Sequence, residues 1–256
     1  MILTVDIGNT RIKWAQWQAD IIVNRAAAAY EVGKCVSVFD VLFSTVEKPS
    51  RVLVLCVAGE KMRTCLSAWV KSQWQLDVEY LKTEKKYKDI INAYEEPRQH
   101  GVDRWAGVVA GHQSFPGCSV CIVGAGTATT FDLVNVNGRH LGGYILPSYA
   151  TMRASLLAGT ANVSSLYEAQ YSDYGAADNT SDAVNRGCHK LLQAGVREIC
   201  QSAKDEMGAS MQIVLTGGYA EVILHYPGMP EMHHKPDLVM QGLYSIMMDQ
   251  KDGVKA

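Results

Sequence analysis

The chain has 256 residues, of which 48% are hydrophobic and 20% are charged. This length suits one large domain or two lobes of ordinary size, and the composition shows none of the bias of disordered or collagen-like chains. A formal net charge of −2 provides no basic surface for nucleic acid or for a membrane. No apolar run approaches the roughly 20 residues that cross a bilayer. Seven cysteines without a signal peptide predict reduced thiols in the cytoplasm.

The first part of the chain predicts an antiparallel meander, followed by alternating helices and strands that indicate an α/β sheet. The charge run Lys82–Asp89 is interpreted as a solvated surface without a function. A loop at Phe115–Gly117 is the expected boundary between two lobes. The predicted elements before it are strands at 2–7, 11–17, 21–25 and from 51, and helices at 36–43, 61–73 and 102–111.

Beyond this loop the opening pattern returns, since a strand again leads into a glycine turn and a second strand. The repetition predicts two similar lobes, residues 1–116 and 117–256, each with a mixed sheet and flanking helices. A nucleotide is expected in the cleft between such lobes. The later predicted elements are strands at 119–123, 129–136, 139–145 and 212–216, helices at 151–157 and 181–206, and closing helices.

The segment VDIGNT, residues 5–10, carries the first chemical signal. Gly8 would let backbone amides approach an anion, and Asn9 and Thr10 add side-chain donors. Asp6 would hold the Mg²⁺ that accompanies ATP, and Lys13 would reach the phosphates as a point charge. An ordinary hairpin turn explains the same residues, because aspartate and glycine–asparagine pairs are common in turns.

A second glycine turn makes the phosphate interpretation stronger. In VGAGTATTFD, residues 123–132, Gly124 and Gly126 free the backbone and Thr127 offers a hydroxyl to a phosphate oxygen. Two such turns at matched places in two lobes are hard to explain as simple hairpins. A third turn, LTGG at 215–218, follows a strand and opens a helix, where close approach to a nucleoside or phosphate is favoured.

The remaining candidate is HGVDRW, residues 100–105, which lies just ahead of a predicted helix. Asp103 would serve as general base for a substrate hydroxyl, with Arg104 as its cationic neighbour. Helix capping is the alternative, because aspartate is favoured near a helix N-terminus.

Seven ordered motifs together resemble the type III pantothenate kinases along nearly the whole chain. The resemblance implies two ribonuclease-H-like lobes, as in the acetate kinase, sugar kinase, Hsc70 and actin superfamily. It also implies transfer of the ATP γ-phosphate to the primary hydroxyl of pantothenate, giving 4′-phosphopantothenate in the first step of coenzyme A biosynthesis, by a homodimer. The motifs are VDIGNT, the tyrosine ahead of GVDR, GAGTATTFD, GGYILP, NTSDAV, LTGG and PDLVMQGL.

The same resemblance assigns individual residues. Asp103 would be the catalytic base, and Asp6 would hold the metal with ATP. Thr180 of the partner subunit would complete the pantothenate site. ATP would contact Asp6, Ile7, Gly8, Asn9, Thr10, Arg11, Ile12, Lys13 and Thr127, and pantothenate would contact Tyr94, Gly101, Val102, Asp103 and Arg104.

Position 124 departs from the family pattern, which has an aspartate that binds an activating monovalent cation, K⁺ or NH₄⁺. Glycine has no side-chain oxygen, so a weakened or absent potassium requirement is expected. Pro147 is followed by Ser148 where the family often has glycine. Two other classes stay open at this point: another kinase or phosphatase of the superfamily, and a non-catalytic regulator related to accessory factors for transcription.

Overall fold

The computed structural model describes residues 1–30, 35–158 and 175–252. The chain divides into two compact units, one formed by Met1–Ser114 with Asp237–Ala256 and the other by Phe115–Pro236. Within the described ranges, none of the helices is long and apolar enough to cross a membrane.

The first unit is built on a five-stranded sheet in the order β3-β2-β1-β4-β5. Strand β1 runs antiparallel to β2, which runs antiparallel to β3, whereas β4 and β5 continue from β1 in parallel. Leu3, Thr4 and Val5 are all fully buried, so both faces of the central strand β1 are covered. The elements are β1 (Ile2–Ile7), β2 (Arg11–Gln18), β3 (Ile21–Ala29), α1 (Cys35–Leu42), β4 (Arg51–Cys56), α2 (Glu60–Trp74) and β5 (Val78–Tyr80).

A small hairpin and a helix complete the part of the first unit that precedes residue 115. The hairpin consists of β6 (Lys86–Tyr87), which lies within the segment interpreted as a solvated charge run, and β7 (Ile90–Ile91), which follows that segment directly. A 3₁₀ turn at Pro97–Gln99 leads into α3 (Val102–Ser114), whose residues Trp105 to His112 are buried. The buried residues of α3 therefore fix the position of its first turn.

The second unit repeats the sheet of the first, in the order β10-β9-β8-β11-β12. Strands β8, β9 and β10 are antiparallel, and β8, β11 and β12 are parallel. His233 and His234 form the short edge strand β12. The elements are β8 (Val120–Ala125), β9 (Ala128–Val134), β10 (His140–Pro147), α4 (Tyr149–Ala158), α5 (Thr180–Met207), β11 (Gln212–Thr216), α6 (Ala220–Leu224) and β12 (His233–His234).

Strand order and direction agree in the two sheets, position by position. In each unit the first strand lies at the centre, its two hairpin partners lie to one side, and two parallel strands lie to the other. The predicted α/β fold with two ribonuclease-H-like lobes, each a mixed sheet with flanking helices, is thereby confirmed.

The closing helix α7 (Leu238–Asp252) belongs to the first unit, whereas the sequence analysis placed it in the second lobe. The physical reason is its packing on α3 and on the faces of β1 and β4. Tyr244 stacks on Trp17 of β2 with ring centroids 4.3 Å apart, and its hydroxyl donates to Asp20 over 2.8 Å. Helix α7 thus covers the face of the first sheet that α3 also covers.

Helix α7 approaches α3 closely at Gly242, and this contact generates a stability prediction. A Cβ on residue 242 would lie only 1.9 Å from the carbonyl oxygen of Ala106. We expect Gly242→Ala to lower the free energy of unfolding by about 1–3 kcal/mol, because overpacking forces the helices apart. Urea unfolding measures this loss.

The neighbouring exposed residue provides the control. Gln241→Ala should change the free energy of unfolding by less than about 0.5 kcal/mol. Equal stabilities of the Gly242→Ala variant and the unaltered protein would contradict this account of the helix contact.

Candidate active site

The turn between β1 and β2 is tightly bonded through its backbone. The N–H of Gly8 donates to the carbonyl of Arg11 over 3.0 Å, and the N–H of Tyr30 donates to the carbonyl of Thr10 over 3.4 Å. The side chains of Asn9, Thr10 and Arg11 are exposed at this turn. Two other predicted ATP contacts, Ile7 and Ile12, have fully buried side chains, so only their backbone could meet a ligand.

Asp6 lies opposite Lys13 in the β1–β2 pairing, as the spacing of the motif suggests. Burial raises the pKa of Asp6 to about 7, the Lys13 ammonium opposes this shift, and the Asp103 carboxylate adds to it. A partly exposed carboxylate whose anionic form is disfavoured is well suited to a bound cation, since a cation restores the charged form. The residues present therefore fit a divalent metal that arrives with a nucleotide.

Asp103 occupies the first turn of α3, where both sequence interpretations placed it. A Cβ on residue 101 would meet its Oδ1 at 2.8 Å, so Gly101 leaves the space that this carboxylate occupies. The carbonyl of Gly101 accepts the N–H of Trp105 over 2.9 Å, which anchors the start of the helix. The negative charge of Asp103 contributes to the raised pKa of Asp6, after burial and the opposing effect of Lys13, so the two carboxylates interact electrostatically.

Tyr94 and Arg104 also come together in the first unit. An Nη of Arg104 donates to the Tyr94 hydroxyl over 3.1 Å, and the guanidinium carbon lies 5.9 Å from the centre of the tyrosine ring. His100 stacks on the same ring with centroids 4.7 Å apart. Arg104 therefore joins Tyr94, and the other predicted pantothenate contacts, residues 101–103, precede Arg104 directly in the chain; all five positions are half-buried.

Two side chains that were not predicted from the sequence bond to the backbone of Tyr94 and His100. The ammonium of Lys85 donates to the carbonyl of Tyr94 over 2.8 Å, and the hydroxyl of Thr83 donates to the carbonyl of His100 over 2.9 Å. Both residues lie in the charge run that was interpreted as surface. No periodicity in the sequence signals bonds of a side chain to a backbone carbonyl, so only the fold reveals them.

The second glycine turn connects β8 to β9 in the second unit. The N–H of Gly126 donates to the carbonyl of Ala128 over 3.0 Å, and Thr127 is exposed at the tip. The hydroxyl of Thr151 donates to the carbonyl of Thr127 over 3.1 Å. Ser148, the departure from the family pattern, accepts the N–H of Thr151 over 3.2 Å, so this serine caps the start of α4.

Thr130 occupies the space next to position 124. Gly124 pairs with Thr130 across β8 and β9, and a Cβ on residue 124 would lie 2.6 Å from the Thr130 Oγ1. The position that carries an aspartate in the family pattern thus has no carboxylate, and a hydroxyl stands beside it. These residues do not fit a monovalent cation bound by a carboxylate at this place.

The third glycine turn lies against the second. Gly217 adopts a φ of 105°, and a Cβ there would be 2.3 Å from the carbonyl oxygen of Ala125. That carbonyl accepts the N–H of Tyr219 over 3.1 Å. Only glycine permits both the left-handed backbone and the contact. The structure therefore places LTGG beside the turn that bears Thr127.

Thr180 begins the long helix α5 and is exposed. The side chain of Asn179 caps this helix by accepting the N–H of Asp182 over 3.0 Å. Helices α4 and α5 line a mostly apolar cavity of about 940 Å³ that includes Thr180. Leu156 and Leu191, which also line it, are 45% and 63% exposed.

These features define a class of protein. A duplicated sheet of this strand order, with a glycine turn after the first strand of each copy, is the architecture of the acetate kinase, sugar kinase, Hsc70 and actin superfamily. A solved structure with this fold is the activator of 2-hydroxyisocaproyl-CoA dehydratase from Clostridium difficile with bound ADPNP. It superposes with a TM-score of 0.54 at 11% identity, over 100% of this chain and 97% of that one.

Sequence comparison narrows the class. The family model of type III pantothenate kinases matches residues 2–202. A type III pantothenate kinase of Nitrosococcus oceani is 35% identical over 255 residues, which cover 97% of this chain and 94% of that protein. Another, from Chromohalobacter salexigens, is 33% identical over 95% of this chain and 86% of its own length. The chain belongs to the type III pantothenate kinase family, as its motifs predicted.

The raised pKa of Asp6 generates a prediction for stability against pH. A folded-state pKa of about 7 means that the folded protein binds this proton more tightly than the unfolded chain does. The free energy of unfolding therefore falls as pH rises from about 4 to 7. We expect Asp6→Asn to stabilise the nucleotide-free protein at pH 8 by about 1–3 kcal/mol, with little gain at pH 4.

Urea unfolding at the two pH values tests this expectation. Asp77→Asn, which alters a carboxylate whose side chain is 87% exposed, is the control and should change stability by less than about 0.5 kcal/mol. A destabilisation by Asp6→Asn of equal size at both pH values would show that the charged form of Asp6 carries no desolvation penalty.

Proposed function

We propose that the chain phosphorylates pantothenate through the residues of the first unit that surround Asp6 and Asp103. Family membership confirms the predicted enzyme class, an ATP-dependent kinase that forms 4′-phosphopantothenate at the start of coenzyme A biosynthesis. The observation that carries the residue assignment is the pairing of Asp6 with Lys13 across β1 and β2. It is supported by the electrostatic effect of Asp103 on Asp6 and by the bond of Arg104, the neighbour of Asp103 in the chain, to Tyr94.

In this proposal Asp103 accepts the proton of the pantothenate hydroxyl as that oxygen attacks the γ-phosphorus. An alcohol is a weak nucleophile, and a carboxylate within hydrogen-bond reach removes its proton as the new bond forms. The location of Asp103 in the first turn of α3, with Gly101 leaving room for its Oδ1, supports this role. Tyr94, Gly101, Val102 and Arg104 would orient the pantothenate.

The phosphates of ATP are assigned to the exposed turn of the first unit, at Gly8, Asn9, Thr10 and Arg11, and to Lys13. Ile7 and Ile12 would contribute through their backbone, because their side chains are buried. In the second unit the proposed ATP contact is Thr127. Neutralisation of phosphate charge by such donors supplies most of the acceleration in phosphoryl transfer.

Kinases of this superfamily use ATP with a divalent metal. We propose that the metal is Mg²⁺ and that Asp6 holds it, because Mg²⁺ is held by one or two carboxylates together with phosphate oxygens. When bound, the ion offsets the negative charge that develops on the transferred group. The raised pKa of Asp6 supports the assignment, since the carboxylate lacks a full counter-charge of its own.

A homodimer is proposed in which Thr180 of the partner subunit completes the pantothenate site. Support comes from the exposed position of Thr180 at the end of an apolar surface that includes Leu156 and Leu191. Sedimentation equilibrium that gives a monomer at micromolar concentration would contradict the dimer. We further propose that the enzyme acts in the cytoplasm, and the free thiols of the described residues support this location.

Two alternatives are less well supported. Another small-molecule kinase of the superfamily would not require the Tyr94–Arg104 pair next to Asp103. A non-catalytic regulator would have no need to retain Asp6, Asp103 and Thr127 together. Nucleic acid is not an expected partner, given the net charge of −2.

Phosphorylation of pantothenate tests the role of Asp103. Purified protein with ATP, Mg²⁺ and pantothenate should yield phosphopantothenate by mass spectrometry. Asp103→Asn should lower kcat by about 10²–10⁴-fold, the usual contribution of a general base, while KM for ATP changes little. Asp77→Asn is the matched control and should retain full activity. Absence of product from the unaltered protein would exclude the kinase, and full activity of Asp103→Asn would exclude the base.

The environment of Gly124 generates a prediction for monovalent cations. Because no carboxylate is available at this position and the Thr130 hydroxyl lies beside it, the reaction should proceed at similar rates in sodium and potassium buffers. A choline buffer of equal ionic strength serves as control for general salt effects. Strong and selective activation by potassium would contradict the prediction.

A further inference from the structure

The residue that follows β3 forms an unexplained bond to the first glycine turn. The hydroxyl of Tyr30 donates to the carbonyl oxygen of Gly8 over 2.7 Å. The backbone N–H of the same tyrosine donates to the carbonyl of Thr10 over 3.4 Å. Tyr30 is therefore attached to both ends of the exposed Asn9 segment. Neither motif spacing nor composition singles it out.

The bond to Gly8 has a geometric consequence for Asn9. A trans peptide unit is planar, and its C=O and N–H groups point in opposite directions. No cis peptide bond occurs in the described residues. When the carbonyl of Gly8 is directed at the Tyr30 hydroxyl, the N–H of Asn9 is directed away from Tyr30. The orientation of one amide donor in the turn is thus set by a side chain 21 residues further along the chain.

The surroundings of Tyr30 keep its hydroxyl available as a donor. Tyr30 packs against the hydrophobic core of the first unit, to which Ile12 and Cys56 belong. Burial, and to a smaller extent the Cys56 thiol, raises the pKa of Tyr30. The hydroxyl therefore keeps its proton at neutral pH, and a carbonyl oxygen is a partner that can only accept.

We propose that Tyr30 is a positioning residue for ATP binding. By donating to the Gly8 carbonyl, its hydroxyl orients the Asn9 N–H so that this amide can donate to a phosphate of ATP. The inference rests on the proposed ATP site at this turn. A free two-residue turn would sample both orientations of the 8–9 peptide, and each ligand-binding event would have to select one. Preorganisation removes that cost, because the donor already points where the charge will lie.

The test compares two tyrosines that make the same kind of bond in the same unit. Tyr30→Phe removes the hydroxyl that donates to the Gly8 carbonyl. Tyr80→Phe removes the hydroxyl that donates to the Arg63 carbonyl over 2.8 Å. Both side chains are half-buried. Tyr80 bonds to helix α2 and not to the turn, so it controls for the general loss of a buried hydroxyl.

We expect Tyr30→Phe to raise KM for ATP, and Kd for a non-hydrolysable ATP analogue measured by calorimetry, by about 3–10-fold. KM for pantothenate should stay unchanged. Tyr80→Phe should leave all of these values as they are. In the amide NMR spectrum, the shift of Asn9 on addition of the analogue should be smaller for Tyr30→Phe than for the unaltered protein.

Unchanged ATP affinity of Tyr30→Phe would overturn the inference. The inference would also be overturned if Tyr30→Phe and Tyr80→Phe lost the same ATP affinity in proportion to their loss of thermal stability. Such a result would indicate a structural role alone. A failure of the unaltered protein to bind the analogue would instead overturn the proposed ATP site, and the inference with it.

Discussion

The register of β1 against β2 is the constraint on which the candidate site depends. It places Asp6 opposite Lys13 and leaves the exposed Asn9 segment at the tip of the hairpin. Side chains alternate between the faces of a strand, so a shift of one residue would move Asp6 to the other face. The fully buried side chains of Leu3, Val5 and Ile7 oppose such a shift. A shift would move each of them to the opposite covered face of the sheet. Core packing thereby fixes the position of the carboxylate.

Much of the fold could be predicted because glycine turns and strand patterns are local. The repeated strand–turn–strand unit indicated two similar lobes, and both sheets have the same order. The membership of α7 could not be predicted in this way. Its place against α3 depends on the absence of a side chain at Gly242, and a glycine within a helix gives no sign of which helix lies opposite. Short strands such as β6 and β12 were also missed, since two residues carry no periodicity.

The candidate site was predictable to the extent that its residues lie in motifs. Asp6, Asp103 and Thr127 stand where the motifs predict, at a strand end, a helix start and a turn. The side chains that bond to the backbone near these residues were not predictable, because Tyr30, Thr83, Lys85 and Thr151 donate to carbonyls of residues 9 to 24 positions away in the chain. A carbonyl accepts from any donor, so such a bond imposes no residue pattern at the accepting end. The first and the second glycine turn are nevertheless bonded in the same way, since in each a side-chain hydroxyl donates to a backbone carbonyl of the turn.

The return of α7 to the first unit makes that unit discontinuous in the chain, whereas the second is a single segment, Phe115–Pro236. Synthesis proceeds from the N-terminus, and contiguous units fold as they emerge. The second unit can therefore complete its core while the first still lacks the helix that covers Trp17 and packs on α3. The unit that carries Asp6 and Asp103 can be completed only after α7 has been synthesised. The second unit is therefore an insertion whose residues all leave the ribosome before the helix that completes its host.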